Sequence, residues 1–202
     1  MRRKKLISLV LMLFPLTAAV AGEVHEHGAA RLDVGVEGNA LSLRLESPLD
    51  NVLGFERAPR NDQERDRARL MAKRLHGAEQ VFVPTTEARC VLKSVRLSSA
   101  VLDTALLEPA RDGSGPVQKH THDHKHDHKH DHKHDHDHAH DHAELVAEIE
   151  FECAAPERLV DVKIDLFDAF PRFERLDVQL VTPTQQMGAR LTPAQRTLSW
   201  SR

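Results

Sequence analysis

The sequence contains no tyrosine, one tryptophan and seven phenylalanines in 202 residues. So few rings argue against a large aromatic ligand pocket. It also lacks an excess of positive charge: 28 Lys and Arg stand against 31 Asp and Glu. A nucleic-acid binder would show a basic face, whereas this balance admits cationic partners. Methionine is scarce beyond the N-terminus, where only Met71 and Met187 remain, which disfavours a thioether-rich Cu(I) site. No glycine-rich phosphate loop and no G-x-S-x-G elbow occur. After the N-terminal stretch no apolar run is long enough to cross a bilayer. The one strong excess is histidine: 15 in all, most of them in a single stretch.

The N-terminus reads as an export signal. Arg2, Arg3, Lys4 and Lys5 form a positive region, Leu6 to Val20 is apolar, and Ala19-Val20-Ala21 fits an A-x-A cleavage site. Residues 1–21 are therefore expected to be a signal peptide, with Gly22 first in the mature chain. No cysteine lies near that site to carry a lipid anchor. Without the four leading basic residues, 24 basic side chains face 31 acidic ones, a formal charge of −7. The expected location is an oxidising extracytoplasmic compartment, the bacterial periplasm. In that compartment two cysteines are more often a disulfide than a metal or catalytic site. Cys90 and Cys153, which enclose the His-rich stretch, are accordingly expected to pair.

Hydrophobic periodicity gives the element pattern. Leu32, Val34 and Val36 alternate with polar residues, Gly38-Asn39 follows, and Leu41, Leu43 and Leu45 alternate again, which predicts a β-hairpin. Asn61 followed by Glu64 looks like a capping box. Ala68, Met71, Ala72 and Leu75 then share one helical face, so a helix is expected over about 62–76, ending at Gly77. Val81 to Val83 and Ala88 to Leu97 read as strands. Leu145, Ala147, Ile149, Phe151 and Cys153 alternate with polar neighbours, which predicts a strand with one buried face. Val160, Val162, Ile164 and Leu166 repeat that pattern, and Leu176, Val178 and Leu180 give another strand. Ala189 to Leu191 and Thr197 to Trp200 are expected to form a closing hairpin around Thr192-Pro193. About eight short strands and one helix imply an α+β domain, mainly antiparallel β. It would span 22–202 as a single domain interrupted by a His-rich loop at 111–143. That loop opens on Gly113-Ser114-Gly115-Pro116, has no apolar period, and is expected to be disordered without a ligand.

Two His-x-His elements carry the chemistry. In the first, every even position is histidine: His120, His122, His124, His126, His128, His130, His132, His134, His136, His138, His140 and His142. Asp123, Asp127, Asp131, Asp135, Asp137 and Asp141 alternate with them, as do Lys125, Lys129 and Lys133. Neutral imidazole binds Zn²⁺, Ni²⁺, Co²⁺ and Cu²⁺, and free imidazole, with a pKa of about 6.5, is mostly neutral at pH 7. In extended chain, residues i and i+2 share a face about 6.5–7 Å apart, so two flexible rings can converge on one ion. At three or four ligands per tetrahedral ion, the tract would hold about three or four ions, without a unique register. A linker needs only polarity, which leaves so strict an alternation unexplained. By ligand preference alone the tract favours Cu²⁺ or Ni²⁺ over Zn²⁺.

The second element is His25-Glu26-His27-Gly28. A lone His pair is a weak signal and reads equally as an incidental tail. The pair shares its spacing with the tract, however, and it leads straight into the first strand. His76 is different: it falls in the last helical turn, where a positive side chain suits the helix dipole, and is assigned a structural role.

Taken together, the chain resembles the ZrgA family of periplasmic zinc-binding proteins associated with bacterial zinc uptake. The residues that carry the resemblance are His25-Glu26-His27-Gly28, Ser47-Pro48 after the first hairpin, the His-rich insertion, and His142-Ala143-Glu144-Leu145 leading to Phe151-Glu152-Cys153. Leu166-Phe167-Asp168 adds to it. The resemblance implies zinc capture and hand-over, with inner-membrane transporter components as partners. The alternative is a periplasmic buffer or resistance protein that holds Zn²⁺, Ni²⁺ or Cu²⁺ and delivers none. A zinc hydrolase would need a fixed site with an open coordination position and a base. A tract without register supplies neither, so no enzymatic activity is expected.

Overall fold

A computed structural model describes residues 26–109 and 143–201. The expected signal peptide, His25 and the twelve tract histidines lie outside the described residues. The expected hairpin is present as β1 (Ala29–Glu37) and β2 (Ala40–Pro48), paired antiparallel from Arg31↔Glu46 to Glu37↔Ala40. Gly38 takes the positive φ of +59° that its turn requires. Leu32, Val34, Leu41, Leu43 and Leu45 are all buried on one face, as period two demands. Next comes α1 (Leu49–Leu53), stopped by Gly54 at φ +83°.

The long helix α2 (Asp62–His76) has the expected bounds, and Ala68, Met71, Ala72 and Leu75 are its buried residues. The Asn61 side chain accepts from the Glu64 N–H at 2.9 Å. Glu64 reaches past the cap, however, and accepts from the Arg60 N–H at 2.7 Å rather than completing the expected box. The chain continues through β3 (Phe82–Pro84), β4 (Cys90–Ser98), α3 (Thr104–Leu107), β5 (Glu144–Cys153), β6 (Asp161–Ile164), α4 (Leu166–Ala169), β7 (Arg175–Val181), β8 (Gln186–Leu191) and β9 (Thr197–Ser199).

Two sheets result. The larger has the order β4-β5-β2-β1-β7-β8, and only its β1–β7 pairing is parallel. The smaller is antiparallel, in the order β3-β6-β9. A single buried cluster joins the inner face of the larger sheet to α2 and the smaller sheet. The outer face of the larger sheet carries ion pairs, for example Glu148 between Arg44 at 2.8 Å and Arg96 at 2.7 Å. The Arg96 hydrogen bond, with Arg44 behind it, holds the Glu148 carboxyl below its ordinary pKa.

Several expectations need correction. The single expected helix is joined by α1, α3 and α4, each four or five residues long. Segments so short cannot display a helical face in the sequence. The expected strand from Ala88 starts at Cys90, because Ala88 ends a 3-10 turn and Arg89 has φ +51°. Val81 likewise caps a 3-10 turn ahead of β3. Val160 is exposed before β6 and Leu166 is buried in α4 after it, so only Val162 and Ile164 alternate as strand residues. The closing hairpin is absent: β8 pairs with β7 and β9 with β6, so the turn at Thr192 carries the chain from one sheet to the other. Alternation identifies a strand but not its partner. Ala143, counted with the loop, is buried at 2% exposure and belongs to the folded body.

Cys90 and Cys153 stand opposite each other in the β4–β5 ladder and form a disulfide across a sequence separation of 63. The bond lies at the far end of β5 from the insertion, about 30 Å away for a ten-residue strand.

Candidate metal centre

His27 sits in a turn whose backbone is fixed from three sides. The Ala29 N–H donates to the Glu26 carbonyl at 3.0 Å. Gly28 has φ +81°, and a Cβ there would stand 2.9 Å from Glu174 Cγ, so both conformation and space require glycine. The Gly28 carbonyl accepts from the N–H groups of Glu174 at 2.7 Å and Arg175 at 3.0 Å, and its own N–H donates to Asn51 Oδ1 at 2.7 Å. Asn51, on α1, is 1% exposed. Its amide also donates to the Ala29 carbonyl at 2.8 Å and to Ser47 Oγ at 3.1 Å. A buried amide satisfied on both ends rigidifies what it touches. Glu26 is held by Arg175 at 2.9 Å.

From this turn the His27 ring projects outward, with 68% of its side chain exposed, and its Nε2 stands 3.3 Å from Glu56 Oε1. That oxygen is shielded from solvent and has no hydrogen-bond partner among the described residues. Glu56 lies just past the Gly54 cap, in a loop pinned by the next residue. The Arg57 guanidinium stacks over Phe55 at 5.0 Å and donates to both oxygens of Glu64, at 2.7 and 2.8 Å. The Arg57 hydrogen bond, aided by the Arg60 N–H, pulls the Glu64 carboxyl down to about 2.

The two roots of the insertion are also held. On the N-terminal side, Asp103 caps α3 by accepting from the Ala105 N–H at 2.9 Å. His76 Nε2 lies 2.7 Å from the Leu107 carbonyl, and since a carbonyl only accepts, Nε2 is the donor. This bond from the last turn of α2 gives His76 a structural task. On the C-terminal side, the Ala143 carbonyl accepts from the Leu49 N–H at 2.8 Å, and Glu144 stands opposite Pro48. The first residue of α1 thus holds the end of the insertion, and its third residue holds the His27 turn. An open hollow of about 560 Å³ lies beside them. Glu26, Glu46, Glu144 and Asp177 line it, together with Arg31 and Arg175.

Of the histidines expected to bind metal, only His27 falls within the described residues. No group of three or more His, Cys, Asp or Glu is gathered for an ion among those residues. Sequence reasoning missed Glu56 and Asn51. The first lies in an aperiodic loop and the second in a helix of five residues, so neither had a pattern to mark it.

No curated protein matches the chain at a significant level. A family model described as ZrgA family zinc uptake protein matches residues 24–200, from just before the His-x-His turn through the last strand. The chain belongs to the ZrgA family of zinc uptake proteins.

Proposed function

We propose that this chain is a periplasmic zinc-binding accessory protein that captures Zn²⁺ through two His-x-His elements and supplies it to an inner-membrane zinc transporter. The family supports a role in zinc uptake. An exported location fits the N-terminal signal pattern and the disulfide, which oxidising compartments favour. The observation that carries the mechanism is the shared anchoring on α1. Leu49 holds Ala143, the residue after His142, while Asn51 holds Gly28, the residue after His27. Three residues of helix rise about 1.5 Å each, so Ala143 and the fixed turn are neighbours. In this reading the tract, with many imidazoles and no single register, gathers several ions. The pair His25 and His27 holds one ion at the turn. Imidazole must be neutral to ligate, so loading weakens as pH falls through about 6.5.

Zinc titration of the mature chain tests this. The wild-type chain is expected to bind more than two ions, and deletion of 119–142 to remove most of them. An unchanged stoichiometry after deletion excludes the tract as the capture element.

A further inference from the structure

We infer that Glu56 is a zinc ligand and shares with His27 a fixed site at the His-x-His turn. The inference rests on the function proposed above and adds to it a residue from a different part of the chain. The geometry carries it. A tetrahedral zinc ion holds nitrogen at about 2.0–2.1 Å and carboxylate oxygen at about 2.0–2.2 Å. Two such ligands stand roughly 3.3–3.5 Å apart across the tetrahedral angle. His27 Nε2 and Glu56 Oε1 are 3.3 Å apart, longer than the roughly 2.7–2.9 Å of a charge-assisted N–H···O hydrogen bond.

The hydrogen-bond inventory points the same way. Glu56 Oε1 is shielded from solvent without a hydrogen-bond partner, and a polar atom so placed calls for an explanation such as an ion. Two other carboxylates near the turn are already engaged: Glu26 with Arg175 at 2.9 Å and Asp50 with Arg172 at 2.8 Å. The Glu56 oxygen faces an imidazole instead. Both ligands sit on stiff supports, one on the turn clamped by Asn51, the other between the Gly54 cap and the Arg57–Glu64 pair. The exposed side of the His27 ring leaves an entry path for the ion. A carboxylate also offsets one of its two charges, which neutral imidazole does not.

The test is a competition titration of the full mature chain with Zn²⁺ against a chromophoric chelator, which resolves the tightest ion from the rest. Glu56→Gln keeps the shape and removes the charge. It is expected to weaken the tightest ion at least about tenfold while leaving the number of weaker ions unchanged. Glu56→Asp, which keeps a carboxylate, is expected to retain part of the affinity, and thermal melts of both variants check that the fold persists. His27→Ala is expected to weaken the same ion. An unchanged tightest ion in Glu56→Gln with a weakened one in His27→Ala overturns the assignment of Glu56 alone. A wild-type chain without any tight ion overturns both this assignment and the proposed function.

Discussion

The His-x-His turn and the His-rich insertion share a spacing of histidines and differ in what the fold does for them. The turn is gripped in its middle. Gly28 makes three backbone hydrogen bonds, one to a fully buried asparagine, and an orphaned carboxylate oxygen lies within ligand distance of its imidazole. The insertion is gripped at its two ends, by His76 on Leu107 and by Leu49 on Ala143. In the function proposed here the same donor chemistry has two uses in one molecule. A pre-positioned pair loses little freedom when it binds, which favours affinity, whereas a repeated tract offers many equivalent arrangements, which favours capacity. The common element is α1, only five residues long, with one hand on each.

This contrast can be broken from the side of the core. The Cys90–Cys153 bond sits at the end of the β4–β5 ladder away from the insertion, so its loss should weaken the domain without touching capacity. Replacing both cysteines with Ala is expected to lower unfolding stability by roughly 2–4 kcal/mol, the usual range for a native disulfide. The number of zinc ions bound at 25 °C should not change. Denaturant melts and zinc titration on the same variant measure both. A fall in ion number would mean that the insertion depends on the ladder more than its two end contacts imply.

A smaller and more local effect is expected at α1. Asn51→Ala leaves the Gly28 N–H and the Ala29 carbonyl without their buried side-chain partner, a loss of about 1–3 kcal/mol. Because the turn then loosens, the tightest zinc ion should weaken while the total bound stays the same. Equal losses in tight and weak ions would contradict separate sites.

Much of this architecture is legible in the sequence where periodicity is long. The β1–β2 hairpin, α2 with its bounds, β5 and β7 follow from alternation or from the i, i+3, i+4, i+7 pattern. The pairing of Cys90 with Cys153 follows from compartment and count. What stays hidden depends on contacts between distant segments. The partners of β8 and β9 are chosen by the core, and nothing in either strand names them. Glu56 becomes a candidate only when the 49–57 segment folds back beside residue 27. Asn51 sits in a helix too short to register, although Ser47-Pro48 just before it already stood out. The first half of the proposed site was therefore readable as a motif, and the second half only as a place in space.

The central claim is that the turn and the tract are different kinds of site. It is tested most directly by competitive zinc titration of the His25→Ala/His27→Ala chain beside the wild type. The account predicts the loss of a single ion, the tightest, with the remaining capacity intact. Retention of every high-affinity ion in the double variant would contradict it and return the turn to an incidental pair of histidines.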